Sequence, residues 1–508
     1  MAPDPTNSRA ATRHALLGCV LVSLVHLYIL SAGFVWPLPS ETAYYNRQAD
    51  AFAHGQLHLL QKPVAGLLAL PDPYDPVANR PFRKAVGVHD AVLYDGKFHL
   101  YWGPLPGALL VPVRLMVTTA TGGGAVVGDE WLVLAFTLAT TLWVSLLVRL
   151  LYVRHFADRP PALVGLAVAV YGLATPATYF LARPAVYEAA IVGGQCFLTA
   201  GLLALAAGFP RKDGVDRDGP SVRLFTTAGV CLGAAVACRV SLAIGVTAVA
   251  AVTVLWLLFH KPVGRPLVFR RARSLAGFTV PLVVTAALLL AYNYARFGRP
   301  LEFGQQYQLT GANYKAIPTL FSPANAVPGV WSYAMRPVAV VPTFPFLRAR
   351  VGEGTFPAGM AMPPNYETFE PIAGIVLTTP VVAFALVALA RLLRRDQLAG
   401  LRLTVLATAA AGGLGFAPCL FMVGSTQRYL MDLWPALAVL VAVGMFQVLT
   451  PGKPRGPRFL AVGALAGWTF AVGLLLGHSG YYDHFRVWNR PWFEALGGVV
   501  DDPPAKAG

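Results

Sequence analysis

The chain is poor in charge. Only 13% of its 508 residues are Asp, Glu, Lys or Arg, while 56% are hydrophobic, and a water-soluble globular surface needs about twice that charged fraction. Acids are the scarcer sign, 24 against 40 Lys and Arg. Cysteine is sparse as well. Cys19, Cys196, Cys231, Cys238 and Cys419 all fall in apolar stretches, and none forms a CxxC pair or a metal-ligand spacing. That excludes a disulfide framework and a Cys-based metal site, and leaves five small buried hydrophobes. There is no GxxxxGK[ST] loop to cradle a nucleotide, no HExxH, no GxSxG elbow and no internal repeat. A secondary transporter would show matching Gly/Pro-broken helices in two halves, and the unequal loops here do not.

What is present is a series of apolar runs of bilayer length. Candidate spans lie at 14–36, 131–153, 161–182, 186–209, 222–237, 241–259, 274–295, 371–391, 401–424, 428–449 and 458–478. The expectation is an all-α polytopic membrane protein with about eleven transmembrane helices. The first span is too long for a cleaved leader and is expected to stay. One piece, 105–120, is short, begins at Pro104-Leu105-Pro106 and contains Arg114.

The net charge of +16 reflects orientation and not nucleic acid. Basic residues cluster at Arg154 and Arg159, at Arg211, Lys212, Arg217 and Arg223, at Lys261, Arg265, Arg270, Arg271 and Arg273, at Arg391, Arg394, Arg395 and Arg402, and at Lys453, Arg455 and Arg458. If 105–120 does not cross, all of these share one side with Arg9 and Arg13, as the positive-inside rule requires. The segment would then lie in the interface or be re-entrant. This places the N-terminus in the cytoplasm and the C-terminus outside an inner (plasma) membrane. The organisation is one transmembrane domain over 1–478, with extracytoplasmic loops 37–130 and 296–370, and a tail over 479–508.

The acids gather in the first long loop. Residues 37–106 hold Glu41, Asp50, Asp72, Asp75, Asp90 and Asp95. A carboxylate beside a bilayer, shielded from bulk water, is suited to general-base work. Glu41, in Ser40-Glu41-Thr42-Ala43-Tyr44-Tyr45, either points into a cavity between helices or faces interfacial water. Asp95-Gly96 reads as a tight turn, and Asp72-Pro73-Tyr74-Asp75-Pro76 as loop architecture. Asp90 has no such turn signal. Tyr101 and Trp102 suit an interfacial belt or a stacking surface for a sugar ring. The later stretch Tyr292 to Tyr307, with Glu302, either lines an acceptor groove or packs on the bundle. Arg428, in Gln427-Arg428-Tyr429, suits a lipid phosphate, or pairs with Asp432 one turn on. Arg239 is a second candidate of the same kind. Glu188 reads as a local partner of Arg183.

These residues together resemble the GT-C superfamily of integral-membrane glycosyltransferases, in particular the branch holding the protein O-mannosyltransferases, the aminoarabinose transferases of lipid A and the Rgt-type lipopolysaccharide transferases. The family opens its first outer loop with Asp-Glu, a Tyr pair, an Ala and a Gly; this chain has Ser40-Glu41, Tyr44-Tyr45, Ala49 and Gly55. Asp95-Gly96-Lys97 leading to Gly103-Pro104-Leu105-Pro106 resembles the family's Pro-rich entry, without its His. Arg428-Tyr429 and Pro435-Ala436-Leu437 resemble a late family span. Ser40 stands at the family's usual Asp.

The resemblance implies a GT-C-like bundle that moves a sugar from a polyprenyl-phosphate donor to a hydroxyl on a glycan, lipid or protein acceptor, with inversion, in cell-envelope assembly. Membrane lipid would be a partner and nucleic acid would not. Glu41, with Asp90 in reserve, would be the base. Arg428 and Arg239 would meet the lipid phosphate. Tyr44, Tyr45, Tyr101, Trp102 and Tyr429 would hold the substrate. No cofactor is expected and no metal ligand set is evident, although some relatives use a divalent ion. The rival expectation is a non-catalytic lipid-linked sugar transporter or assembly scaffold. Heavy use of Ala, Val, Arg and Gly fits a GC-rich bacterial genome.

Overall fold

The computed structural model describes residues 5–210, 220–259, 265–317, 320–352, 355–364, 366–368, 370–393, 399–449 and 456–500. Of the basic clusters, Arg211, Lys212, Arg217, Lys261, Arg394, Arg395, Lys453 and Arg455 lie outside these residues. The chain is an all-α polytopic membrane protein. Its β structure, among the described residues, is limited to three two-stranded pairs in loops, the longest being the hairpin Val92–Tyr94 with Lys97–His99.

Among the described residues eight helices are long and apolar enough to cross a membrane. They are Thr6–Leu30, Asp129–His155, Val186–Gly208, Val240–Phe259, Val268–Phe297, Ala399–Phe421, Gln427–Val448 and Pro457–Ser479. A ninth is the pair Ala162–Leu173 and Thr175–Leu181, bent by 46°. The bend falls where Pro176 opens the second helix, since proline cannot continue the hydrogen-bond ladder of the first. The two remaining expected spans correspond to the shorter helices Val222–Cys238 and Pro380–Ala390. The first helix sits earlier than its apolar run. It starts in the polar stretch around Arg9 and ends at Leu30, because Ala32, Gly33 and Phe34 take left-handed backbone.

Successive helices run up and down between two rims. One rim is basic. There Arg154 donates to Ala206 O and Ala207 O, and Arg159 to Phe446 O. Both guanidiniums meet carbonyls at helix C-terminal ends, where a cation is favoured by the exposed acceptors and the helix dipole. The opposite rim carries the long loops. Asp129, at the head of its helix, gathers the start of the first loop: its carboxylate accepts from Thr42 Oγ1 at 2.6 Å, Tyr44 N at 2.9 Å and Tyr45 N at 3.0 Å. Thr42 Oγ1 in turn accepts from Val186 N. One threonine therefore ties loop, Asp129 helix and Val186 helix together.

The helix Leu105–Thr121 is another of the shorter apolar helices. The chain enters it at Gly103, pressed on the end of Val222–Cys238, and leaves it to reach Val127, whose N–H donates to Asn46 on the same rim. Midway, Arg114 is buried and bonds Asp50 at 2.7 Å. The stretch expected as a separate tail is helical over His484–Trp488 and Arg490–Ala495 and packs back on the bundle. Asn489 donates to Ala32 O, and His484 lies 3.2 Å from Leu30 O. Residues 501–508 of that tail lie outside the described part.

Candidate functional site

At the loop-bearing rim the helix ends enclose a cavity of about 560 Å³. Its helix-end wall includes Arg183, Tyr187, Arg239, Arg428 and Tyr429. Its loop wall includes Asp90, Tyr101 and Trp102 from the first long loop and Gln305, Gln308 and Tyr314 from the second.

Asp90 is placed by the hairpin that follows it. Its backbone is left-handed (φ 60°), a conformation that Asp tolerates better than most residues. Its N–H donates to Leu309 O at 2.8 Å, so the second loop fixes it. Asp90 is thus a turn residue as well, contrary to the sequence expectation, while Asp95-Gly96 forms the hairpin turn as expected. Asp90 Oδ2 accepts a short hydrogen bond from the Tyr187 hydroxyl. Oδ1 lies 3.5 Å from His89 Nε2 and accepts no hydrogen bond.

Arg428 sits on the other side of the same tyrosine, its guanidinium 4.1 Å from the Tyr187 ring centroid, a cation–π contact. It does not pair with Asp432. Gln427–Tyr429 is a 3-10 turn ahead of the helix Leu430–Val448, so the two side chains lose the α-helical i,i+4 alignment. Arg428 instead bonds Glu370 Oε1 at 2.8 Å, and Arg183 bonds the same oxygen at 2.6 Å. Thr426 Oγ1 donates to the other carboxylate oxygen. Burial pushes the Glu370 carboxyl up, but Arg428 and Arg183 outweigh it, and it lies below its ordinary range. Nothing in the sequence pointed to Glu370, which lies far along the chain from both partners.

Arg239 lines the cavity too, but its Nε and Nη2 form a forked pair with Asp432 at 2.5–2.8 Å. Tyr429 carries both arginines, Arg239 at 5.3 Å and Arg428 at 5.8 Å from its ring centroid. Trp102 is buried and packs edge-on to Tyr187, with Tyr101 4.5 Å away. Both rings belong to the cavity and not to an interfacial belt.

Other expected residues stand elsewhere. Glu41 is not in the cavity wall; its carboxylate lies 3.4 Å from Arg183 Nε. Burial pushes that carboxyl up, and Arg183 only partly pulls it back. Tyr45 is wholly buried. Tyr44 spends its hydroxyl on the backbone of His89, with burial raising its pKa to about 12. The pair therefore braces the loop and leaves Tyr101 and Trp102 as the first loop's aromatic rings in the cavity wall. Glu188 does not bond Arg183: both its oxygens are buried without a hydrogen-bond partner. Glu302 serves its own loop, accepting from Gly304 N and Gln306. Among the described residues no group of three or more His, Cys, Asp or Glu side chains is placed to hold a metal ion.

The cavity thus offers a carboxylate with one oxygen that accepts no hydrogen bond, a pair of clamped arginines and flat aromatic surfaces. That set can accept a proton, neutralise an anion and stack a ring.

No family model matches the chain, and no curated protein does. Among solved structures it is similar to the oligosaccharyltransferase of Archaeoglobus fulgidus. The apo form gives 15% identity over 96% of this chain and 57% of that one, with a TM-score of 0.40. The AglB complex with an inhibitory peptide and a dolichol-phosphate gives 14%, 96%, 56% and 0.43. The form tethered to an acceptor peptide gives 15%, 95%, 56% and 0.44. This chain spans little more than half the length of those proteins. The likeness is distant in both sequence and superposition, so the chemistry of the cavity stands on this chain's own residues.

Proposed function

We propose that this protein is a membrane glycosyltransferase that moves a sugar from a polyprenyl-phosphate donor to an acceptor hydroxyl at the loop-bearing rim, with inversion at the anomeric carbon. The observation that carries the reading is Tyr187, which holds a carboxylate on its hydroxyl and an arginine on its ring, both facing one cavity. The acceptor oxygen attacks the anomeric carbon as the bond from that carbon to the phosphate oxygen breaks. The acceptor proton goes to the Asp90 carboxylate. The charge left on the lipid phosphate meets Arg428 and Arg183. Trp102 and Tyr101 supply ring-stacking surfaces. This moves the base from Glu41 to Asp90 and gives Glu41 the task of holding Arg183. With the basic rim in the cytoplasm, the reaction faces the cell envelope, where the acceptor is a glycan, lipid or protein.

The test is transfer of labelled sugar from a panel of polyprenyl-phosphate sugars by purified wild type, Asp90→Asn, Glu41→Gln and Arg428→Ala. Asp90→Asn should lose on the order of 100-fold or more in kcat, as removal of a general base does, and Glu41→Gln far less. Full loss in Glu41→Gln with an active Asp90→Asn would return the base to Glu41. No transfer by wild type from any donor would end the enzymatic reading in favour of a transporter or scaffold.

A further inference from the structure

Glu370 raises a question that the transfer chemistry does not answer. An arginine pair meant for a phosphate already holds an anion. Both guanidiniums converge on the single oxygen Oε1, at 2.6 Å from Arg183 and 2.8 Å from Arg428, and Thr426 occupies the other oxygen. These are the distances at which an arginine binds a phosphate oxygen. Glu370 is therefore the same kind of ligand as the leaving group, supplied by the protein. Its side chain is only 7% exposed, and Pro371 and Ile372 follow it directly, with Ile372 paired to Arg350 through backbone hydrogen bonds in both directions. The carboxylate is thus built into the wall.

Resting on the donor reading above, we propose that Glu370 is a resident counter-anion that competes with the donor's phosphate for Arg183 and Arg428. In this role it is a positioning residue with two effects. It lowers the attraction of the arginine pair for the incoming donor. It also eases release of the spent lipid phosphate, which would otherwise be held as tightly as two unshared guanidiniums allow. Binding energy spent equally on donor and product slows turnover, and a fixed anion trims it. Glu41, 3.4 Å from Arg183 Nε, keeps that arginine oriented when phosphate shares it with Glu370.

The experiment measures binding of a short-chain polyprenyl phosphate to detergent-purified full-length protein through the fluorescence of Trp102 and its neighbours, together with KM and kcat for sugar transfer. Glu370→Gln removes the charge and keeps the shape. It should bind the lipid phosphate about tenfold more tightly, the scale set by losing one nearby like charge at a partly buried site, and should lower KM and kcat together. Glu370→Asp retracts the carboxylate by one methylene and keeps the net charge, so it should shift binding the same way by less. It also provides the decisive variant if Glu370→Gln does not fold. Unchanged or weaker binding in the folded variants overturns the proposal. Failure of wild type to bind the lipid phosphate at all overturns the donor reading, and the role of Glu370 with it.

Discussion

The pair Arg239–Asp432 allows a sharp test of how charge is carried inside this bundle. Asp432 is fully buried, whereas the Arg239 side chain keeps 15% of its surface open towards the cavity. Three contacts of 2.5–2.8 Å bind them. Breaking a buried pair by removing one partner costs about 3–5 kcal/mol, because the survivor is left charged and unpaired. The two halves should not cost the same. In Asp432→Asn the orphan is Arg239, which can be rehydrated through the cavity, so the loss should lie near the lower figure. In Arg239→Met the orphan is a carboxylate with no exposure, so the loss should lie near the upper one. The double variant Arg239→Met/Asp432→Leu removes both charges and should recover most of the deficit. Thermal unfolding in detergent, followed by fluorescence on all four proteins, gives the ranking. Equal losses in the two single variants, or a double variant as unstable as their sum, would refute the asymmetry and the pairing argument behind it.

Two further predictions concern the same rim. A Cβ on Gly103 would stand 2.2 Å from Ala237 O and 2.4 Å from Cys238 O, backbone atoms that cannot rotate aside, so Gly103→Ala must shift Trp102 by about 1 Å. Displacement on that scale costs up to about 100-fold in turnover, and wild-type kcat in Gly103→Ala would show that the aromatic wall does not position the sugar. Glu370 has a folded pKa below its ordinary 4.5, so its contribution to stability is complete above that value and is lost as pH falls through the lower, folded one. Wild type should therefore lose stability below about pH 4.5 more steeply than Glu370→Gln, and parallel acid-unfolding curves would show that folding does not lower the Glu370 pKa.

The helices were legible because hydropathy is local. All eleven apolar runs meet a helix, and 105–120 forms a shorter apolar helix. What local reading misplaced was the end of the first helix, where the stop comes from left-handed backbone at Ala32, Gly33 and Phe34 and not from polarity. The site was half legible. Asp90, Tyr101, Trp102, Arg239, Arg428 and Tyr429 reached the cavity, since residues that cluster near span ends on one side converge there. Their partners were not legible. Arg428 bonds Glu370 across the intervening helices Pro380–Ala390 and Ala399–Phe421, Arg239 bonds Asp432 far along the chain, and Tyr187 stands in an apolar run with nothing in its spacing to single it out. Such choices depend on which side chains the bundle sets side by side, and sequence spacing does not record that. The i,i+4 rule failed at Arg428 for a local reason, the 3-10 turn that rotates it out of register with Asp432.

The helix Leu105–Thr121 has one consequence of its own. It joins the rim at both ends and leaves Leu109, Val113, Leu115 and Met116 bare. An amphipathic segment of that kind rests where lipid head groups give way to tails. Through Arg114 and Asp50 it grips the first loop, and through Gly103 it abuts Trp102. It therefore acts as a float. The depth of the cavity is set by the leaflet on which the helix rides, and a thinner or more crowded leaflet would be felt first at the Trp102 indole in its wall.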